Sequence, residues 1–299
     1  MTASPVQEPG QEPVRVPVLD GIAEWSSRYE VILCDIWGVL HDGLHAHRAA
    51  ADALNRFRQR GGTVVLVSNA PRPAASVVPH LDHLGVPRDA WDGIVTSGDV
   101  TRAVLEGEDA PYFWLGPERD FPLFEGLAAP RVEFEAARTL VCTGLLHDER
   151  ETPEDYRDLL GRARERGMRF VCANPDLVVE RGGELVYCAG ALAEAYAELG
   201  GDVVFAGKPH RPIYESALAI AASLRKRETE LARVLAVGDA LRTDVAGANG
   251  LGCDSLFVAR GIHTHEIGIA ALALDHGLLS AFLSAAEVHP TAAIDKLAW

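Results

Sequence analysis

A run of four apolar residues, Val31-Ile-Leu-Cys34, ends in a single carboxylate, Asp35, and this junction constrains the fold more than any other stretch. A continuous apolar run of this length reads as a strand buried on both faces of a parallel sheet. Asp35 then falls at the strand's carboxyl end, where open α/β sheets bind their ligands. After it, Ala50, Leu54 and Phe57 recur at helical spacing, Gly61-Gly62 stops the helix, and Thr63 to Val67 form a second β-branched strand. Strand, helix and strand make a right-handed βαβ unit with both strand ends on one edge of the sheet. Ser68 and Asn69 are therefore expected beside Asp35.

The pattern continues with a helix over 74–84 and a short strand over 93–97, then loosens. Strands are expected at 112–115, 131–134, 139–142, 169–172 and 184–188, with a helix from Pro153 to Arg166. The first pattern resumes at Val203–Ala206, followed by a helix over 213–226, a strand over 234–237, a short helix over 244–248 and a strand over 255–258. The expected organisation is α/β: a Rossmann-like parallel-sheet core (19–98 and 203–299) with an inserted α/β domain (99–202). Residues 1–18, rich in Pro, Glu and Gln, are read as a flexible arm, having too few large apolar groups to offset the entropy of ordering.

With 299 residues, 48% of them hydrophobic, the chain can bury a large core. A formal charge of −15 argues against nucleic acid and anionic membrane surfaces as partners. The five cysteines are odd in number, scattered and mostly within apolar runs, as in a reduced cytoplasmic protein. No apolar run approaches the length of a membrane span, and no leader pattern opens the chain.

Four strand ends carry polar residues in a fixed order: Asp35, then Ser68-Asn69, then Gly207-Lys208-Pro209, then Gly238-Asp239 with Thr243-Asp244. Singly, each is compatible with a cap or a turn. In this order they resemble the four motifs of the haloacid dehalogenase (HAD) superfamily. The insert, with Ala173-Asn-Pro-Asp176 and Cys188-Ala-Gly-Ala191, resembles the α/β cap domain of the class IIA branch, the NagD-like and p-nitrophenylphosphatase-like enzymes. The similarity covers roughly residues 28–270.

The resemblance implies a Mg²⁺-dependent phosphatase acting on a small phosphorylated metabolite through an aspartyl-phosphate on Asp35. Asp35, the main-chain carbonyl of Trp37 and Asp239 would hold the metal, with Asp244 either a further ligand or a partner of one. Ser68, the amide of Asn69 and Lys208 would hold the phosphoryl group. A homodimer is compatible with this cap type. Dehalogenation is disfavoured, because that chemistry needs no cation and the metal acids are present.

Trp37 departs from the family pattern, in which an aspartate at that position protonates the leaving group. An indole N–H does not ionise at ordinary pH, and general acid–base help typically contributes about 10²–10⁴-fold. Three readings follow: a phosphatase whose proton comes from His41, Asp42 or another cap residue; a hydrolase restricted to good leaving groups such as acyl or aryl phosphates, with Trp37 against the substrate; or a weakly active scaffold that binds a phosphorylated ligand. Arg72, Asn174, Asp176 and His210 are further candidates for substrate contact. A solvated loop remains the alternative for Arg72, and an Asx-turn for Asn174 and Asp176.

Overall fold

The computed structural model describes residues 16–108, 110–181, 184–269 and 274–299. In chain order the first elements are β1 (Val18–Leu19), β2 (Val31–Cys34), α1 (Arg48–Gln59), β3 (Thr63–Ser68), α2 (Ala74–Leu84), β4 (Gly93–Thr96) and α3 (Ser97–Glu108). The middle of the chain supplies β5 (Tyr112–Leu115), β6 (Thr139–Cys142), α4 (Arg157–Glu165), β7 (Arg169–Cys172), β8 (Val178–Arg181), β9 (Glu184–Tyr187), α5 (Ala189–Glu198) and β10 (Val203–Phe205). The last part holds α6 (Arg211–Arg225), β11 (Val234–Gly238), α7 (Ala246–Leu251), β12 (Asp254–Val258), α8 (Thr264–Ile267), α9 (His276–Ala285) and β13 (Ala292–Ile294).

Strands β1, β13, β12, β11, β2, β3 and β4, in that order, form a seven-stranded parallel sheet. Its centre explains the unbroken apolar run that opens the core. Successive side chains of a strand point to opposite faces, so Ile32 and Cys34 join Leu54, Phe57 and Leu81 on one side. Val31 and Leu33 join Ile213, Tyr214 and Ala217 on the other. Both faces are covered by helices, as a parallel sheet requires. The chain moves outward from β2 to β3 and returns as β11 on the opposite flank of β2. The crevice at this switch in direction is where ligands of open α/β sheets lie.

The inserted region builds a four-stranded parallel sheet, β10-β7-β6-β5, and an antiparallel hairpin, β8-β9. Here the sequence expectations need correction. Val203–Phe205 pairs with Phe170–Cys172 of the smaller sheet, so the core does not resume at Val203. As a short apolar edge strand it is indistinguishable by composition from a core strand. Residues 131–134 are not a strand: Arg131 makes one bridge to Tyr112, and Phe134 opens a 3₁₀ turn while packing its ring into the cap core.

The proposed arm is also shortened. Residues 1–15 lie outside the described residues, but Val18 and Leu19 pair with Ala293 and Ile294 at the sheet edge. Among the described residues, no helix is long and apolar enough to cross a membrane.

Candidate active site

Asp35 follows β2 directly, and its backbone N–H continues the ladder by donating to the Val237 carbonyl of β11 at 2.8 Å. That register sets the ends of β2 and β11 side by side and brings Asp239 next to Asp35. Beyond β11 the chain makes a π-helical turn over Leu241–Val245 before α7. Turns of this kind often mark functional sites, and this one turns the Asp244 carboxylate back toward the strand end, where its Oδ2 accepts from Ala240 N–H at 3.2 Å. Carboxylate oxygens of Asp35, Asp239 and Asp244 lie within 4.8 Å of one another.

Lys208, almost fully buried, places Nζ 2.7 Å from Asp35 Oδ1 and 2.7 Å from Asp244 Oδ1. Three buried carboxylates around one ammonium leave an excess of negative charge with little water to screen it. Burial raises the Asp35 and Asp239 carboxyls above their ordinary range. Burial, followed by the charge of Asp35 against the pull of Lys208, pushes Asp244 up to about 6. The same carboxylates hold Lys208 firmly protonated against its own burial. A cluster of hard oxygen donors with unbalanced negative charge fits a hard divalent cation.

The neighbouring backbone is shaped around these acids. A Cβ on Gly38, which has φ +79°, would sit 1.9 Å from Asp239 Oδ2, and one on Gly261 would sit 2.1 Å from the same atom. Only glycine lets both loops close over Asp239, and Ile262 N–H then donates to its Oδ2 at 2.8 Å. For Asp35, Ile36 N–H donates to Oδ1 at 2.7 Å, the oxygen that also faces Lys208. Oδ2 takes part in neither contact.

Ser68 and Asn69 end β3 beside this centre. Ala70 N–H donates to Ser68 Oγ at 3.2 Å, so the hydroxyl proton of Ser68 remains to be given. The Asn69 side chain acts as a brace: its Oδ1 accepts from Lys208 N–H at 2.7 Å, and its Nδ2 donates to Asp176 Oδ1 at 2.9 Å. It thus fixes the lysine loop and the cap loop to the core. Asn174 takes the Asx-turn role, its Oδ1 accepting from Asp176 N–H at 3.1 Å. Asp176 lines the cleft above Asp35, and burial raises its carboxyl, with Lys208 opposing. Arg72 lies outside the cleft lining, with Nε 3.7 Å from Asp120. His210 lines an adjoining chamber and stacks on Phe205 with ring centroids 4.5 Å apart.

Trp37 is built into a flap. Its indole meets the edge of His41, centroids 5.1 Å apart, and covers Gly43, where a Cβ would come within 2.7 Å of the ring. Of the two flap residues weighed as a replacement acid, Asp42 lines the cleft and His41 does not. His41 is buried between Trp37 and His80, does not line the cleft, and accepts at Nδ1 from Gly43 N–H at 3.0 Å. Burial lowers its pKa to about 4, so it is neutral near pH 7. Asp42 does line the cleft, yet its Oδ1 accepts from Leu44 N–H and His45 N–H, and these bonds outweigh its slight burial to lower its pKa.

Arg260, which the sequence reading did not single out, and His47, which follows Asp42 in the flap, also face the cleft. Arg260 lines it and reaches Asp295 Oδ1 at 2.9 Å. His47 lines it with Nδ1 3.0 Å from the Val39 carbonyl. A carbonyl only accepts, so neutral His47 carries its proton on Nδ1 and its lone pair on Nε2.

A doubly wound core with a lysine-bridged carboxylate centre at its switch point, overlaid by an α/β cap, defines a class of hydrolases. A haloacid dehalogenase-like hydrolase model matches residues 32–126, and a HAD-hydrolase-like model matches residues 205–297. A haloacid dehalogenase-like hydrolase from Brucella suis is 43% identical, with a TM-score of 0.83 over 94% of this chain and 100% of that one. The D-glycerol 3-phosphate phosphatase of Mycobacterium tuberculosis is 30% identical over 251 residues, 80% of this chain, which spans 65% of that protein's length. The ribonucleotide monophosphatase NagD of Escherichia coli is 27% identical over 77% of this chain and 88% of its own. The chain belongs to the haloacid dehalogenase-like hydrolases, in their NagD-like branch.

Proposed function

We propose that the chain is a Mg²⁺-dependent phosphatase of a small phosphorylated metabolite that works through an aspartyl-phosphate on Asp35. The observation that carries this reading is the Lys208 ammonium, 2.7 Å from both Asp35 and Asp244, with Asp239 completing the carboxylate centre. A binding module has no use for a buried carboxylate held ready by an ammonium on one oxygen only. The names of the mycobacterial and E. coli relatives support phosphate monoesters as the substrate class.

Asp35 Oδ2 attacks phosphorus, the bond from phosphorus to the leaving oxygen breaks, and its electron pair departs with that oxygen. Water then cleaves the acyl phosphate, returning the Asp35 carboxylate and releasing inorganic phosphate. Lys208, the Ser68 hydroxyl and the Asn69 main-chain amide are the donors proposed for the phosphoryl oxygens. Asp35, Asp239, Asp244 and the Trp37 carbonyl are the proposed metal ligands. Bound there, magnesium supplies the positive charge that lets an anionic phosphate approach an anionic nucleophile.

Phosphate release from phenyl phosphate, measured with Mg²⁺ and with chelator, tests the reading. Turnover is expected to need the cation and to fall about 10³-fold or more in Asp35→Asn. Full activity in either control would overturn it.

A further inference from the structure

A second cavity, about 470 Å³, adjoins the cleft of about 390 Å³ that holds Asp35. Asp176, Val178, Ala240, Thr243 and Ile262 line both, so the two lie side by side along a shared set of walls. The outer chamber has an apolar wall: Leu177, Leu185, Phe205 and Pro209, with the His210 ring nearly parallel to Phe205 at 4°. Burial lowers the pKa of His210, so it presents a neutral ring near pH 7. The chamber's one arginine is paired within it. Arg242 Nη2 lies 2.6 Å from Glu194, and His263 Nδ1 lies 3.2 Å from Glu266. Among the described residues lining the chamber, Arg242 is the only lysine or arginine, and it faces Glu194. A polyol or a nucleotide pyrophosphate would leave the apolar wall unmatched, whereas a ring would cover it.

We infer that the outer chamber is the leaving-group site, and that the substrates are phosphate monoesters of apolar, ring-bearing phenols or enols. The inference rests on the proposed phosphatase reading. It is carried by the adjacency of the two cavities and the apolar wall of the outer one, and independently by Trp37. His41 is buried away from the cleft, and the two N–H groups on Asp42 Oδ1 favour its ionised form, so neither flap residue offers a proton readily to a departing oxygen. A phenolate, whose conjugate acid has a pKa near ~10, leaves without such help far more readily than an alkoxide, whose basicity approaches that of hydroxide at ~16. In the reaction the bond from phosphorus to the aryl oxygen breaks as Asp35 attacks. The phenolate leaves with the electron pair and takes its proton from solvent water.

Steady-state kinetics with 1-naphthyl phosphate, acetyl phosphate and glycerol 3-phosphate test this, together with fluorescence titration of the product 1-naphthol. The expected kcat/KM for 1-naphthyl phosphate exceeds that for glycerol 3-phosphate by about 10²-fold or more. In Leu185→Asp, at the exposed mouth of the chamber, the ratio of kcat/KM for 1-naphthyl phosphate to that for acetyl phosphate falls about tenfold. Naphthol binding weakens by a similar factor. Equal kcat/KM for naphthyl and glycerol phosphates, with the glycerol activity lost in Asp176→Asn, would overturn the inference and give the proton to Asp176. Naphthol binding that ignores Leu185→Asp and Leu177→Asp would also overturn it. If no phosphate ester turns over, the phosphatase reading fails, while naphthol binding still decides whether the chamber takes apolar rings.

Discussion

The Asp239 carboxylate is enclosed by Gly38 and Gly261 and faces two other acids, so its charge destabilises the metal-free fold. An acid whose folded pKa is raised weakens the fold at pH values above its unfolded pKa. Asp239→Asn is therefore expected to stabilise the metal-free protein by roughly 1–2 kcal/mol while abolishing any rise in Tm on adding Mg²⁺. Thermal melts with and without the ion check both effects. His41 has the opposite consequence. Its folded pKa of about 4 lies below the ordinary 6.5, so the unfolded chain takes up a proton that the folded chain refuses. Its contribution, on the order of 3 kcal/mol, is present above pH 6.5 and is lost as pH falls from there toward 4. Comparing urea stability across that interval in wild type and His41→Asn isolates it: the variant should show the shallower fall.

At the level of elements, the flap that begins with Trp37 depends on Gly43, which has φ +90° and lies under the indole. Gly43→Ala is expected to cost about 1–2 kcal/mol from backbone strain alone and to lower activity by displacing Trp37. The edge of the core depends on β13, where Ile294 is buried and the strand separates β12 from β1. Ile294→Ala should cost about 2–4 kcal/mol in chemical denaturation.

These two elements also show where sequence reading reaches its limit. β2, β3, α2 and the carboxylates after β2 and β11 are legible because apolar runs, stop glycines and strand-end acids repeat at regular intervals. β13 is three small or branched residues whose strand character comes only from the partners on either side. The histidines of the flap illustrate the same limit at the site. Position in sequence brings His41 close to Asp35, but whether a side chain enters the cleft or the core depends on the bridges Trp37 to His41 and His41 to Ala46, which no spacing rule gives. His47, six residues on, lines the cleft instead.

For the whole molecule, a net charge of −15 and a buried acidic centre leave a local cation as the means of admitting a phosphate. Because burial pushes the Asp244 carboxyl up to about 6, protons would compete with the proposed Mg²⁺ for the same oxygens. The Mg²⁺-induced rise in Tm should be larger at about pH 7.5 than at about pH 5. The cap supplies Asp176 and one side of the apolar chamber, the core supplies the carboxylate centre, and Asn69 joins them. The most direct test of the account is to quench the Mg²⁺-loaded enzyme with acid during turnover of an aryl phosphate and map its peptides by mass spectrometry. The account predicts one added phosphoryl group on the peptide carrying Asp35, absent in Asp35→Asn. Turnover with the adduct on another residue, or with no covalent adduct under conditions that trap acyl phosphates, would contradict it.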